Sequence, residues 1–161
     1  MREAPKNDFS MHIERAPDRV IVRMAGVIDE ESELSGLAEL DSPLLWLHLA
    51  GIRRINSFGV RAWIEAIRRI PGDSRVVLTH CSPSIIDQCN MVAGFTGQGE
   101  IESFYVPMLC ERCDLERDEF YEVAQCQDLG GSLPETRCPN CGGFMEIDDL
   151  EEQYLLFLRE S

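Results

Sequence analysis

The chain has 161 residues, of which 44% are hydrophobic and 27% are charged. This is the composition of a folded protein, and it excludes disorder over most of the length. The formal net charge is −14, so nucleic acid and anionic membrane surfaces, which attract basic proteins, are not expected as partners.

No segment of the sequence predicts a membrane span or a signal peptide. The longest apolar run, Leu44–Ile52, has nine residues and includes His48, whereas a transmembrane helix needs about 20. The first residues, Met1–Asp8, contain no apolar stretch of the kind that a signal peptide requires. We therefore expect a cytoplasmic protein, whose cysteines stay reduced.

Cysteines and charges divide the chain into two parts. Seven cysteines occur, and four of them form two Cys-x-x-Cys pairs in the last third. From Pro107 onward there are four basic and 14 acidic residues, compared with 11 and 15 before it. Since the cysteine pairs and the acidic excess begin together, we predict a first domain over residues 10–106 and a second module over residues 107–161.

Strand and helix patterns alternate along the first domain. Two runs around a Pro-Asp turn predict a β-hairpin, and a segment that is apolar on both faces predicts a buried parallel strand. Apolar residues at helical spacing, with N-cap and stop signals, predict three helices. The predicted elements are the strands Met11–Ala16, Val20–Gly26, Leu44–Ala50, Val76–Thr79 and Ile101–Val106, with helices over Asp29–Leu40, from Ser57 to about Ile70, and from Ser82 to about Ala93. This order predicts an α/β fold, a mixed β-sheet with helices packed on it.

The segment from Leu44 to Trp63, which predicts a strand, a loop and the start of a helix, carries a family resemblance. Its loop, residues 56–59, reads Asn-Ser-Phe-Gly and resembles the Asp-Ser-x-Gly loop of STAS domains, which occur in bacterial anti-sigma-factor antagonists and stressosome proteins. The resemblance covers about residues 10–106 and implies a STAS-like fold with a phosphorylated serine, here Ser57. The partner-binding residues that it implies are Asn56, Phe58, Gly59 and Arg61. Asn56 departs from the family, which has Asp at this position.

The position of Ser57 supports a phosphorylation site on physical grounds as well. We expect Ser57 to be the N-cap of its helix, with the hydroxyl accepting a hydrogen bond from the first turn. A phosphate at this position would meet free N–H groups and the positive end of the helix dipole. The alternative is that Ser57 serves only as an N-cap.

A basic cluster surrounds Ser57 in this otherwise acidic chain. It consists of Arg53, Arg54, Arg61, Arg68 and Arg69. Helical spacing places residues 61, 65, 68 and 69 together, opposite the apolar side of the helix. One interpretation is a solvated face on which Glu65 pairs with its neighbours. The other is a docking face for an acidic partner.

Two cysteine pairs in the second module predict a metal site. Cys110 and Cys113 are separated by 24 residues from Cys138 and Cys141, a spacing typical of zinc ribbons. Each pair would lie on a tight turn, and four thiolates would complete a tetrahedral shell around a structural Zn²⁺. The alternatives are an iron site, a redox dithiol, and a catalytic zinc, which would need an open ligand position.

The remainder of the second module predicts short β-strands and a terminal helix. The strands are predicted at Glu119–Gln125 and Phe144–Ile147, and the helix at Asp148–Leu158. The apolar stripe of this helix would pack on the body of the protein or, alternatively, recruit a partner. The other cysteines, Cys81, Cys89 and Cys126, are expected in the interior.

These patterns predict a binding protein and not an enzyme. His12, His48 and His80 have no evident nucleophilic partner, and no phosphate loop or HExxH motif occurs. The leading hypothesis, based on the resemblance, is a bacterial signalling adaptor that binds an anti-sigma factor, a kinase, another STAS protein or a second copy of itself. Phosphorylation of Ser57 would release that partner. The alternatives are a scaffold protein that keeps the fold without the switch, and a thiol–disulfide enzyme that uses the cysteine pairs.

Overall fold

Two β-sheets and four α-helices make up the computed structural model, which describes residues 8–159. The first sheet has the strand order β1-β2-β3-β4-β5 and the second has the order β7-β6-β8. The strands are β1 Ser10–Arg15, β2 Val20–Ile28, β3 Leu44–Ile55, β4 Arg75–Thr79, β5 Glu100–Ile101, β6 Ser103–Cys110, β7 Glu116–Glu122 and β8 Met145–Ile147. The helices are α1 Ser57–Arg68, α2 Pro83–Met91, α3 Val123–Asp128 and α4 Glu151–Tyr154. The predicted α/β class, with a mixed sheet, is confirmed.

The first sheet follows the predicted strand order. β1 and β2 form the antiparallel hairpin, and β2, β3, β4 and β5 then run parallel to one another. β3 alternates buried with half-buried residues from Leu44 to Ala50, so one face of this strand is less completely covered than the other. The signal-peptide expectation rests mainly on residues 1–7, which lie outside the described range. No helix among residues 8–159 combines the length and apolar composition needed to cross a membrane.

The prediction of a helix over Asp29–Leu40 is wrong for most of this segment. Only a short 3-10 helix forms there, at Ser35–Glu39. The reason lies in the acids that favoured the helix prediction. The Asp29 carboxylate accepts a hydrogen bond of 2.9 Å from the N–H of Glu31, and such local side-chain bonds stabilise turns in competition with helices.

The predicted strand Ile101–Val106 is two strands in two different sheets. β5 ends at Ile101, and the Glu102 N–H donates to the Leu78 carbonyl before the chain enters β6. β6 then continues through Pro107, the predicted domain boundary, to Cys110. Whether residues 10–106 and 107–161 fold as separate units stays a prediction.

After β6, the bounds of the elements differ from the prediction, whereas the packing of the C-terminal segment agrees with it. The predicted strand Glu119–Gln125 begins earlier, as β7, and its end is helix α3. The C-terminal segment forms α4 and a 3-10 helix at Leu156–Arg159. Most of its apolar stripe packs on the body of the protein, as one of the two interpretations predicted. Tyr154, Leu155, Phe157 and Leu158 are buried, whereas Leu150 is 65% exposed.

A single hydrophobic core extends through both sheets. It contains Leu47 of β3, Phe104 of β6 and Phe157 of the C-terminal segment, together with residues from every helix. The edge of the Phe157 ring contacts Phe104 at a centroid distance of 4.9 Å. The second sheet and the C-terminal segment are thus packed against the first sheet.

Candidate functional site

Four cysteine side chains meet at one end of the second sheet. The Sγ atoms of Cys110, Cys113, Cys138 and Cys141 all lie within 4.8 Å of one another. The Cys110–Cys141 and Cys113–Cys138 sulfur pairs are separated by 3.4 and 3.6 Å. Four sulfurs at the ordinary Zn–S distance would be about 3.8 Å apart. The predicted convergence of the four cysteines is confirmed, and together they could hold a metal ion.

Two matched backbone turns present these sulfurs. The N–H of Asp114 donates to the Cys110 carbonyl at 2.8 Å, and the N–H of Gly142 donates to the Cys138 carbonyl at 2.9 Å. Both donors have left-handed backbone angles, with φ of 60° at Asp114 and 76° at Gly142. Glycine adopts this conformation readily, and Asp does so more readily than most residues. Residue types at the two positions therefore suit the turns.

Polar hydrogens lie close to three of the sulfurs and favour the thiolate of Cys113. For Cys141, the Gly143 N–H lowers the pKa, but the neighbouring sulfurs outweigh it and raise the pKa to about 11. The backbone N–H groups of Asn140 and Gly143 lie 3.4 Å from the sulfurs of Cys138 and Cys141, respectively. The Asn140 side-chain amide is 3.5 Å from the sulfur of Cys113. This amide contact is the main reason why the pKa of Cys113 falls to about 6. Since metals bind thiolates, an environment that stabilises the thiolate also favours a metal.

The other cysteines do not join this cluster. Cys81 and Cys126 are completely buried, as predicted, and Cys89 is half-buried on α2. Burial raises the pKa of Cys89 to about 12 and that of Cys126 to about 11. Both thiols therefore stay protonated at neutral pH and are poor nucleophiles.

The N-cap of α1 is Asn56, so the prediction that Ser57 caps this helix is wrong. Asn56 Oδ1 accepts a hydrogen bond of 2.8 Å from the N–H of Gly59. Ser57 is instead the first helical residue and is exposed, with a hydroxyl that forms no hydrogen bond among residues 8–159. Asn56 Nδ2 also donates to Glu30 at 3.3 Å. An Asp at position 56 would face the Glu30 carboxylate, which gives a physical reason for Asn here.

Phe58 and Gly59 have opposite environments next to Ser57. The Phe58 side chain is 62% exposed, which is unusual for a large apolar residue. Gly59 is buried, and a Cβ atom there would lie 2.1 Å from the Ile28 carbonyl oxygen. Gly59 is therefore required for the close approach of α1 to β2, while Phe58 is available at the surface.

The predicted basic cluster is an exposed surface. Arg53 forms an ion pair with Asp8, and the other arginines, Arg54, Arg61, Arg68 and Arg69, form no ion pair within residues 8–159. Among residues 8–159, Glu65 likewise forms no ion pair, so the pairing expected on a solvated face is not seen. We call Phe58 and these four unpaired arginines the α1 surface.

The sequence analysis missed a contact between two histidines. His48 lies on β3 and His80 directly follows β4, and their rings stack with centroids 4.2 Å apart. The register of the two parallel strands accounts for the contact, because His48 is the Cα partner of Thr79, the residue before His80. His12 lies apart from the stack, on β1.

No protein-family model and no curated protein matches this chain. The resemblance to STAS domains therefore stays a prediction, based on the residues between Leu44 and Trp63.

Proposed function

We propose that this chain is a signalling adaptor of the STAS type, which binds an acidic protein partner through the α1 surface. A structural zinc ion bound by the four cysteines would stabilise its second sheet. The observation that carries the proposal is the exposure of Phe58 on a surface that also presents four arginines without ion pairs. Exposed aromatic residues and arginines are typical of interfaces, since they contribute most to binding energy.

The local charge of the α1 surface, and not the net charge of the chain, supports an acidic partner. In a chain with 29 acidic and 15 basic residues, a surface with four unpaired arginines is distinct from its surroundings. Complementary charges raise association rates and exclude partners of the wrong sign. A nucleic acid, which is uniformly anionic, would be repelled by most of this acidic molecule.

The environment of the cysteines supports zinc. Sulfur-to-sulfur distances of 3.4 and 3.6 Å are close to those of a tetrahedral four-thiolate shell. Four protein ligands leave no position for substrate, so the proposed role of the ion is structural. Iron is the alternative that the same ligands would accept. Metal analysis of the purified protein distinguishes the two.

Phosphorylation of Ser57 is the proposed control of binding. The hydroxyl is exposed in the first turn of α1, next to Phe58 and one turn before Arg61. A phosphate would add about 1.5–2 negative charges. This charge would neutralise the nearby arginines and repel an acidic partner, so the phosphorylated form would release it.

Photo-crosslinking tests the docking surface. A photoreactive phenylalanine analogue at position 58 should crosslink a partner in cells, and the same analogue at Met91, which is 69% exposed on α2, should not. The double variant Arg61→Glu, Arg68→Glu should abolish the crosslink, whereas Arg15→Glu on the exposed strand β1 should leave it unchanged. Equal crosslinking from positions 58 and 91, or insensitivity to the double variant, would contradict the proposal.

A non-switching scaffold is the second candidate function. Asn56 favours it, because the family's Asp is absent and Glu30 occupies the neighbourhood of the cap. Ser57→Asp and Ser57→Ala separate the two functions once the crosslinked partner is known. The adaptor predicts weaker binding by Ser57→Asp only, and the scaffold predicts equal affinity for both variants.

A further inference from the structure

His80 is held by residues of both sheets. Its ring stacks on His48 of β3, with centroids 4.2 Å apart and 19° between the planes. It also stacks on Phe120 of β7, at 4.9 Å and 28°. Tyr105 of β6 lies near the same ring at 6.3 Å. The His80 ring therefore forms part of the contact between the two sheets.

The backbone at His80 joins the sheets as well. The His80 N–H donates to the Ser103 hydroxyl at 2.7 Å, at the start of β6. The next residue, Cys81, donates to the Ser103 carbonyl at 3.1 Å and accepts from the Tyr105 N–H at 2.9 Å. A disturbance of the His80 ring would therefore act directly on the attachment of β6 and β7.

Two unfavourable features coincide at His80. Its φ angle is 51°, in the left-handed region that residues with a side chain rarely adopt. Its Nδ1 atom is buried and has no hydrogen-bond partner. Each feature lowers stability, and such outliers often occur where a protein changes state. The remaining contacts of His80 must hold it in this conformation.

We propose that the His48–His80 stack is a proton-sensitive contact, which holds the second sheet against the first when both rings are neutral and loosens when the stack takes up protons. Two protonated rings with centroids 4.2 Å apart would repel each other in a partly buried place. In addition, a proton on Nδ1 of His80 would have no acceptor. The contact is independent of the α1 surface and of the metal ligands.

The charged groups around the stack come from β2, β7 and β1, whose Glu14 forms an ion pair with Arg23 at 3.7 Å. Arg23 of β2 is the cross-strand neighbour of His48 and adds a positive charge on the same face. Asp118 and Glu122 of β7 alternate with Phe120 and share its face, where both are exposed. Solvent screens these two carboxylates.

The direction of the pH dependence follows from the pKa of His48. Burial, followed by the nearby His80 and then Arg23, lowers the pKa of His48 below its ordinary value of 6.5. An opened contact would expose His48 and let it bind a proton more readily than the closed contact does. The stack therefore stabilises the contact between the sheets fully above pH 6.5. This stabilisation is lost as the pH falls from 6.5 through the lowered pKa of His48.

Hydrogen exchange measured by mass spectrometry at pH 7.5 and 5.5, corrected for intrinsic rates, tests this proposal. Protection in β6 and β7 should be lower at pH 5.5 than at pH 7.5. Strands β1 and β2 should keep their protection. His48→Phe, which retains a stacking ring without a titrating group, and His48→Gln should each remove the pH dependence.

His12→Phe is the matched control, since His12 is exposed on β1 and is the cross-strand neighbour of Arg23. This variant should keep the wild-type pH dependence. The proposal is overturned if β6 and β7 keep their protection at pH 5.5 in the wild type. It is also overturned if the His48 variants lose protection as the wild type does, or if His12→Phe removes the effect as well.

Discussion

Asn56 Oδ1 accepts a hydrogen bond of 2.8 Å from the N–H of Gly59 and thereby caps α1. This contact gives neighbouring residues different roles. Asn56 stabilises the helix end, and the adjacent Ser57 hydroxyl is left free at the surface. A modification of Ser57 would therefore not break the cap, and binding could change while the fold is kept.

The cap leads to the first prediction. Asn56→Ala should lower the free energy of unfolding by about 1 kcal/mol, because the Gly59 N–H loses its acceptor. Asn56→Ser should keep most of the stability, since serine is also a good N-cap. Chemical denaturation measures the free energies of unfolding of both variants, provided that the m-value is unchanged. If Ser57→Ala were as destabilising as Asn56→Ala, the assignment of the cap would be incorrect.

Gly59 gives the second prediction. Gly59→Ala should destabilise the protein by about 3 kcal/mol or more, since the new methyl group would lie 2.1 Å from the Ile28 carbonyl oxygen and neither backbone can move freely. Gly72→Ala is the control, because a Cβ atom at position 72 meets nothing within 4 Å. Thermal unfolding of the two variants should differ clearly. Similar melting temperatures would mean that α1 is not this close to β2.

The third prediction concerns the attachment of the C-terminal segment to α2. Asn90 donates to the Tyr154 carbonyl at 2.8 Å and accepts from the Phe157 N–H at 2.9 Å. Asn90→Ala should therefore lower the free energy that holds the C-terminal segment on α2 by about 1–3 kcal/mol. Hydrogen exchange over residues 151–159 should increase. Met91→Ala, at the exposed neighbouring position, should leave exchange there unchanged. Unchanged exchange in Asn90→Ala would contradict the role of these two hydrogen bonds.

Local patterns in the sequence predict much of the first sheet and the metal site. The apolar segment Leu44–Ala50 and the helix after Ser57 have strong periodicity, and the cysteine spacing directly predicts the turns around Cys110 and Cys138. These features depend on residues close together in the chain. The structure agrees with the sequence at each of them.

Long-range contacts explain what the sequence could not predict. Ile101–Val106 looks like one strand, but pairing with Leu78 ends the first part and pairing with Tyr121 and its neighbours begins the second. The His48–His80 stack joins residues 32 positions apart and likewise depends on which strands become neighbours. At the start of α1, Asn and Ser are both good N-caps, so the residue types alone do not decide which one caps the helix.

The metal ligands provide the fourth prediction. Cys110→Ser should lose the bound metal and most of the stability of the second sheet, because a structural metal contributes its binding energy to folding. Cys89→Ser, on α2 and outside the cluster, should retain the metal. Metal content and far-UV circular dichroism of the two purified variants provide the comparison. Equal metal content would exclude the four-cysteine site.

Hydrogen exchange before and after chelation, on protein whose zinc content has been measured, tests the central claim most directly. The account predicts one zinc ion per chain and, after its removal, loss of protection over about residues 108–158. Protection in Leu44–Leu49 and Val76–Thr79 should be kept, because none of the four metal ligands lies on a strand of the first sheet. Protein without zinc, or protection over residues 108–158 that survives chelation, would contradict a metal-stabilised second sheet. Simultaneous loss of protection in both parts would contradict the division of the chain near Pro107.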